Sequence, residues 1–288
     1  MDFTIVTPSF RQLEQLECCI ASIADQEGVS VEHIVQDGGT KGFAEFAQKM
    51  EEKWPDRPGY RRVMVSEPDQ GMYDAINRGL KRATGSICAY LNCDEQYLPG
   101  VLKTVLQRFK GSSDVDLFLG DVVVVDGEGK PICHRKMIRP SLAHTWTCHF
   151  GALTAGIFFR RKVIDQGLLF NTSYRAVADA EWFLRILKSG ISIQPLRFDT
   201  STFMEAGNNL GLSLRAKEER LLLNRSAPIW IRLLRPGWVI WHRARRWLRG
   251  CHRKTDVCLE IYISESSQRR KFTAKQLRTT WPGRITNF

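Results

Sequence analysis

The chain has 288 residues, 43% of them hydrophobic, with 42 Lys or Arg against 31 Asp or Glu. That length and composition supply a sizeable core and exclude the disordered, collagen-like and disulfide-framework classes. The formal net charge of +11 belongs to the tail: residues 1–210 hold 24 basic and 26 acidic side chains, residues 211–288 hold 18 and 5.

An anionic partner is therefore expected for the tail. A membrane surface is favoured over a nucleic acid, for which no recognised binding motif accompanies the charge. The eight cysteines form no C-x-x-C pair, which predicts reduced, mostly buried thiols rather than a zinc site. No uncharged apolar run approaches the ~18–20 residues that span a bilayer. A strand pattern starting at Phe3 leaves no room for a signal peptide, so a cytoplasmic location is expected.

Short apolar runs alternate with helical patterns through the first half. Strands are predicted at 3–7, 31–36, 61–66 and 86–91, and helices at 11–26, 41–53, 71–83 and 98–110. This alternation implies βαβ units and a mainly parallel sheet. After Asp116 the pattern turns β-rich around Phe118 and Val122–Val125, with a hairpin signal at Asp126-Gly127-Glu128-Gly129, so a mixed sheet is expected. A helix over 178–188 ends before Gly190, which suits a left-handed C-terminal cap. Helical sequence resumes near 213, is interrupted at Pro236-Gly237 and continues to about 249. The last thirty residues carry one predicted strand, Val257–Ile263, before turning polar.

Chemistry-bearing residues fall just after the strands. Thr7-Pro8-Ser9 follows the first and Asp37-Gly38-Gly39-Thr40 the second. There Asp37 suits either an acceptor for a nucleobase N–H or an Asx turn with glycines at positive φ. Ser66 to Asn77 follows the third strand and includes Asp69, Gly71 and Asn77; Gly71 permits close backbone approach at a helix start. Asn92-Cys93-Asp94-Glu95 follows the fourth, where an α/β sheet presents ligands to a diphosphate and its metal. No G-x-G-x-x-G follows the first strand, which disfavours a dinucleotide oxidoreductase.

Taken together, these blocks resemble glycosyltransferase family 2, whose members adopt the α/β GT-A fold. The resemblance extends through Cys148-His149-Phe150, Phe158-Phe159-Arg160-Arg161 and Ala178-Asp179-Ala180-Glu181-Trp182, and covers roughly residues 1–225. It implies an inverting transfer from a nucleoside-diphosphate sugar, expected to be a UDP-sugar, to a lipid-linked or polysaccharide acceptor in cell-envelope glycan synthesis. It also implies a donor pocket built from Thr7, Pro8, Ser9, Asp37, Gly38, Asp69, Gly71, Asn77, Asn92, Cys93 and Asp94. Mn2+ or Mg2+ would be held by Asp94, with His149 as a further candidate ligand. Asp179 is the candidate general base, with a helix N-cap as its structural alternative, and Glu181 is the next candidate. Gly207 and Ser213 fall in the counterpart of a loop over the donor.

Two departures from the family pattern stand out. Asn92 replaces the first carboxylate of the usual Asp-x-Asp, which raises the alternative of a catalytically lapsed relative that binds a glycan or nucleotide without turnover. Arg11 stands where Asn is usual.

Residues 226–288 read as a separate basic extension. From Ile229 to Lys254 there are eight Lys or Arg, no acids and four tryptophans. A helical wheel puts Ile240, Trp241, Ala244, Trp247 and Leu248 on one face and His242, Arg243, Arg245, Arg246 and Arg249 on the other. That pattern predicts a helix lying in the plane of an anionic membrane, with a helix packed on its own domain as the alternative.

Overall fold

The computed structural model describes residues 1–205, 211, 213–264 and 266–281. The first half alternates as the spacing predicts: β1 (Phe3–Ser9), α1 (Leu13–Ala24), β2 (Val31–Asp37), α2 (Phe43–Lys53), β3 (Tyr60–Ser66), α3 (Met72–Lys81) and β4 (Ile87–Tyr90). A short β5 (Glu95–Tyr97) and α4 (Val101–Gly111) complete it. Strands β3, β2, β1 and β4 lie side by side and parallel. Every residue of β1 and β2 is buried, polar ones such as Thr4, Glu32 and Gln36 included, as expected of parallel strands covered on both faces.

Beyond Asp116 the sheet becomes mixed. It uses β6 (Leu117–Val125), β7 (Pro131–Arg135), β8 (Ile157–Arg160) and β9 (Ile193–Met204). The order is β3-β2-β1-β4-β8-β6-β9-β5, with β7 hydrogen-bonded to β6 across the expected hairpin. The intervening helices are α5 (Leu142–Thr147), α6 (Lys162–Asp165) and α7 (Ala178–Lys188). Gly190, at φ 81°, follows α7 as its sequence implies.

Side chains alternate across β1, so the strand feeds two cores. Phe3 and Ile5 join Ile23, Leu102, Val105 and Phe118 on one face. Val6 joins Ile76, Leu80, Phe159 and Trp182 on the other.

The tail differs from its expected form in three ways. Its helices are α8 (Leu214–Arg225), α9 (Ile229–Leu233) and α10 (Arg235–Leu248), and the breaks fall at Ser226–Pro228 and at Leu234. Pro236 sits in the first turn of α10, where a missing N–H costs nothing, so it opens a helix instead of interrupting one. A second strand, β11 (Arg270–Leu277), occupies the stretch read as polar and pairs antiparallel with β10 (Thr255–Ile261). Val257, Leu259, Ile261 and Leu277 of this hairpin pack into the same core as Phe3 and Ile5. The hairpin is held by Arg269, whose guanidinium donates to both Asp25 oxygens at 2.6 and 2.7 Å.

The third difference is the orientation of α10. His242 and Arg246, expected on an outward polar face, are buried against the protein. Trp241, Trp247, Ile240 and Leu248 are exposed, the last at 71%. No helix among the described residues is long and apolar enough to cross a membrane.

Candidate active site

A cavity of about 1010 Å³ opens at the C-terminal ends of β1, β2 and β4. This is the edge at which open α/β sheets place ligands. Pro8 and Ser9 line it directly. Thr7, one residue earlier, turns its hydroxyl inward to His33 at 2.9 Å and supports the strand from behind.

Asp37 is wholly buried, and its carboxylate is fully engaged. It accepts from the Gly39 and Thr40 amides and from the Thr40 and Ser66 hydroxyls, all at 2.6–2.9 Å. It therefore braces the turn, while Gly38 beside it lines the cavity. A Cβ on Gly38 would stand 2.9 Å from Asp69 Oδ2, so a larger residue there would displace the Asp69 carboxylate from this wall. Asp69 in turn accepts from the Gly71 amide at 2.7 Å. Gly71 begins α3 at φ 104°, a conformation other residues rarely adopt. Asn77 lies elsewhere: its amide makes a two-way clamp on the Phe170 backbone at 2.8 and 2.9 Å.

The Asn92–Glu95 loop forms the second wall. Asn92, Cys93 and Asp94 line the cavity. Glu95 folds back to accept the Asn92 amide at 2.9 Å, and the Cys93 thiol donates to Gln12 at 2.8 Å. Burial pushes the Asp94 carboxyl up, and burial plus the Asp94 charge pushes Glu95 up further. Among the described residues, Asn92 Oδ1 is buried without a hydrogen-bond partner. An orphaned carbonyl oxygen beside a desolvated carboxylate is a hard donor pair, and it fits Mn2+ or Mg2+ with further oxygens from a diphosphate.

Asp179 forms the third wall. It is the second residue of α7; the N-cap position belongs to Val177, so capping is not its role. The Tyr73 hydroxyl and the Ala180 amide donate to its carboxylate. Burial raises its pKa, partly offset by these donors and by the charge of Arg220. Glu219 of α8 holds the segment that leads into α7, accepting the Arg175, Ala176 and Val177 amides at 2.8–3.1 Å. Glu181 is paired with Arg185 at 2.8 and 3.0 Å and is not among the residues lining the cavity.

His149 also lines the cavity, with its ring set edge-on to His144 at 4.6 Å. Asp94 belongs to neither group of three or more potential metal ligands found among the described residues. Ser213 caps α8 by accepting the Ala216 amide at 3.1 Å, and Gly207 lies outside the described residues. Tyr73, Tyr90, Arg135, Arg220 and Trp281 line the cavity as well and were not anticipated. Tyr73 sits inside the Ser66–Asn77 block and was within reach of the sequence. Arg135 and Trp281 arrive from a hairpin and the tail with no local signal.

The sequence model described as "Glycosyl transferase family 2" matches residues 4–181. A "PGL/p-HBAD biosynthesis glycosyltransferase" of Mycobacterium bovis is 26% identical over 188 residues, covering 64% of this chain and 68% of that protein. Glycosyltransferase AglE of Haloferax volcanii is 21% identical over 199 residues, covering 66% and 62%. Among solved structures, S. aureus TarS in complex with UDP-GlcNAc superposes with a TM-score of 0.60 at 15% identity. That match covers 77% of this chain and spans 64% of the TarS chain. The mannosyltransferase PcManGT from Pyrobaculum calidifontis, in complex with GDP-Man and Mn2+, gives 0.56 at 19% identity, covering 85% and 71%. These likenesses show an α/β fold of the GT-A type, and with the family match over most of the sheet the chain belongs to glycosyltransferase family 2.

Proposed function

We propose that this protein is an inverting glycosyltransferase that moves a sugar from a nucleoside diphosphate to a lipid-linked or polysaccharide acceptor of the cell envelope. The observation that carries the reading is that Asp94 with Asn92, and Asp179 with Tyr73, face one cavity. Asp94 and Asn92 would hold Mn2+ or Mg2+, which when bound would offset charge on the departing diphosphate. Gly38, Asp69 and Gly71 shape the donor side. Asp179 takes the proton from the acceptor hydroxyl as its oxygen attacks the anomeric carbon opposite the diphosphate. The Tyr73 hydroxyl orients the carboxylate, and burial makes Asp179 a stronger base than an exposed aspartate.

A UDP-sugar donor is in keeping with the UDP-GlcNAc complex of TarS, and a divalent ion with the Mn2+ complex of PcManGT. Attachment to the inner face of the cell membrane is part of the same proposal, with no role in nucleic-acid binding. It is supported by the outward apolar stripe of α9 and α10, which brings Trp230, Leu233, Trp241 and Trp247 to the surface.

The test is a melting-temperature screen against UDP-, GDP- and dTDP-sugars with Mn2+ or with chelator, followed by donor turnover with the best ligand. A nucleotide-selective, Mn2+-dependent rise together with slow donor hydrolysis is expected. A rise without turnover in the presence of any acceptor would leave a lapsed, binding-only relative instead.

A further inference from the structure

Three histidines, two from the α5 region and one from the tail, meet at the junction of α10 with the wall of the cavity. His144 lies on α5, His149 just beyond that helix and His242 on α10. The His144 and His242 rings stack at 3.8 Å and 7°, and the His149 ring stands 4.6 Å from the first and 5.6 Å from the second. The three side chains can each offer a ring nitrogen within 4.8 Å of the other two. His144 and His242 are buried, and among the described residues His144 Nε2 and His242 Nδ1 have no hydrogen-bond partner. Two buried imidazole nitrogens without partners, on rings that stack in one cluster, need an account.

We propose that His144, His149 and His242 form a three-imidazole site for a divalent transition-metal ion of the zinc type, joining α10 to the cavity wall. Tetrahedral zinc with bonds of about 2.0–2.1 Å brings its donors to about 3.4 Å apart. The present spacing therefore closes by small side-chain rotations that tilt the stacked rings toward a common ion. Three neutral nitrogens with no carboxylate among them select zinc, cobalt, nickel or copper over the hard ions that suit Asp94 and Asn92. The site is thus chemically separate from the oxygen donors of the Asn92–Glu95 loop and does not rest on the reaction assigned above.

Electrostatics supports the assignment in one respect and shapes it in another. Burial, with nearby arginines and, for His149 and His242, neighbouring histidines, holds all three pKa values well below the ordinary histidine range. The rings are then neutral, the form that binds metal. The same arginines work against a bare cation. Arg245 and Arg246 each donate to a backbone carbonyl, of Arg139 and Lys136. Arg135 and Arg220 line the cavity that His149 also faces. A fourth ligand from that side would therefore be anionic, a hydroxide or a phosphoryl oxygen.

The experiment titrates Co2+ into the chelator-stripped full chain and reads the visible absorption of tetrahedral cobalt. One equivalent of coloured Co2+, displaced by Zn2+, is expected. His242→Gln and His144→Gln should each weaken it by at least the roughly 10–100-fold that loss of even a supporting group costs, whereas Asp94→Ala should keep it. No tetrahedral band, a band unchanged in both histidine variants, or a band lost in Asp94→Ala would each overturn the site. Should the histidine variants fail to melt cooperatively, the wild type decides: Zn2+ at micromolar excess should raise its melting temperature, and an unchanged melt overturns the proposal.

Discussion

Asp94 and Asp179 share a cavity and are both desolvated, yet the groups around them suit opposite tasks. Asp94 has an orphaned carbonyl beside it and no cation facing it from the loop, so a metal would complete its surroundings. Asp94→Ala should raise the dissociation constant for a nucleoside diphosphate in Mn2+ to the value found with chelator. Calorimetry showing an unchanged Mn2+ effect would remove Asp94 from that role. Asp179 is already supplied with donors from Tyr73 and Ala180, so its ionised form is oriented for proton abstraction. Asp179→Asn should keep donor affinity and lower turnover by roughly 10²–10⁴-fold. Its pH dependence has a definite sign. The folded pKa lies above the unfolded one, so this group's stabilising contribution is complete below about pH 4 and is lost as pH rises through the raised value. Asp179→Asn should therefore melt higher than the wild type at pH 7, with the gap shrinking toward pH 4, while wild-type turnover climbs over the same interval. A gap that widens on acidification would contradict the burial argument. Arg11 makes a related point about what a sequence records. It sits at φ 59°, a region asparagine tolerates better than arginine, so the residue usual in the family was reporting backbone geometry.

At the level of elements, α7 presents Asp179, and the segment leading into α7 is held from outside. Glu219 on α8 holds it by accepting three backbone amides while Arg215 pairs with it at 3.1 Å. Glu219→Ala would strand those amides, at about 1–3 kcal/mol for a buried unsatisfied group. A loss of about 3 kcal/mol overall, with a fall in turnover at unchanged donor affinity, is the expected result of a thermal melt and steady-state kinetics. A melt within a degree of wild type would show that this brace is dispensable. Because these donors hold the Glu219 pKa below its ordinary value, its contribution is present above the ordinary glutamate range and is lost as pH falls through the lowered value. This brace was invisible in the sequence, where Glu219 sits in an unremarkable charged helix and the amides it accepts lie more than forty residues away. By contrast, β1 to β4 and the loops after them were legible because short runs rich in β-branched and aromatic residues alternate with helical patterns, and the turns between them need glycine and aspartate. β11 was missed because only alternate residues of Arg270–Leu277 turn inward, and they are diluted by lysine, arginine and glutamine on the open face.

For the molecule as a whole, the charge asymmetry pointed to the tail, and the wheel grouped His242 and Arg246 with outward arginines although both are buried. Periodicity finds a helix's two faces and does not say which one docks. Here the face with His242 and Arg246 docks because two imidazoles, of His144 and His149, and two carbonyl acceptors receive it. The aromatic face is left outward with Arg243 and Arg249 exposed at its margins. Of the tryptophans on α10, Trp238 is half-buried and donates to the Ile231 carbonyl at 3.1 Å, while Trp241 and Trp247 face outward. Each exposed arginine near an anionic leaflet contributes about 1 kcal/mol, and each buried large apolar side chain about 1.5–3 kcal/mol. Attachment should therefore be dominated by Trp230, Trp241 and Trp247 and only modestly weakened by salt. Replacing these three with Ser should release the protein from vesicles containing phosphatidylserine while leaving its melting temperature within a few degrees of wild type. Arg243→Gln with Arg249→Gln should give a partial, salt-mimicking release. Flotation at low and high salt, run beside a melting curve, separates the outcomes. Wild-type protein that stays in the unbound fraction at low salt would end the membrane reading, and a collapse of the melt in the Trp→Ser variant would mean that those rings stabilise the fold instead.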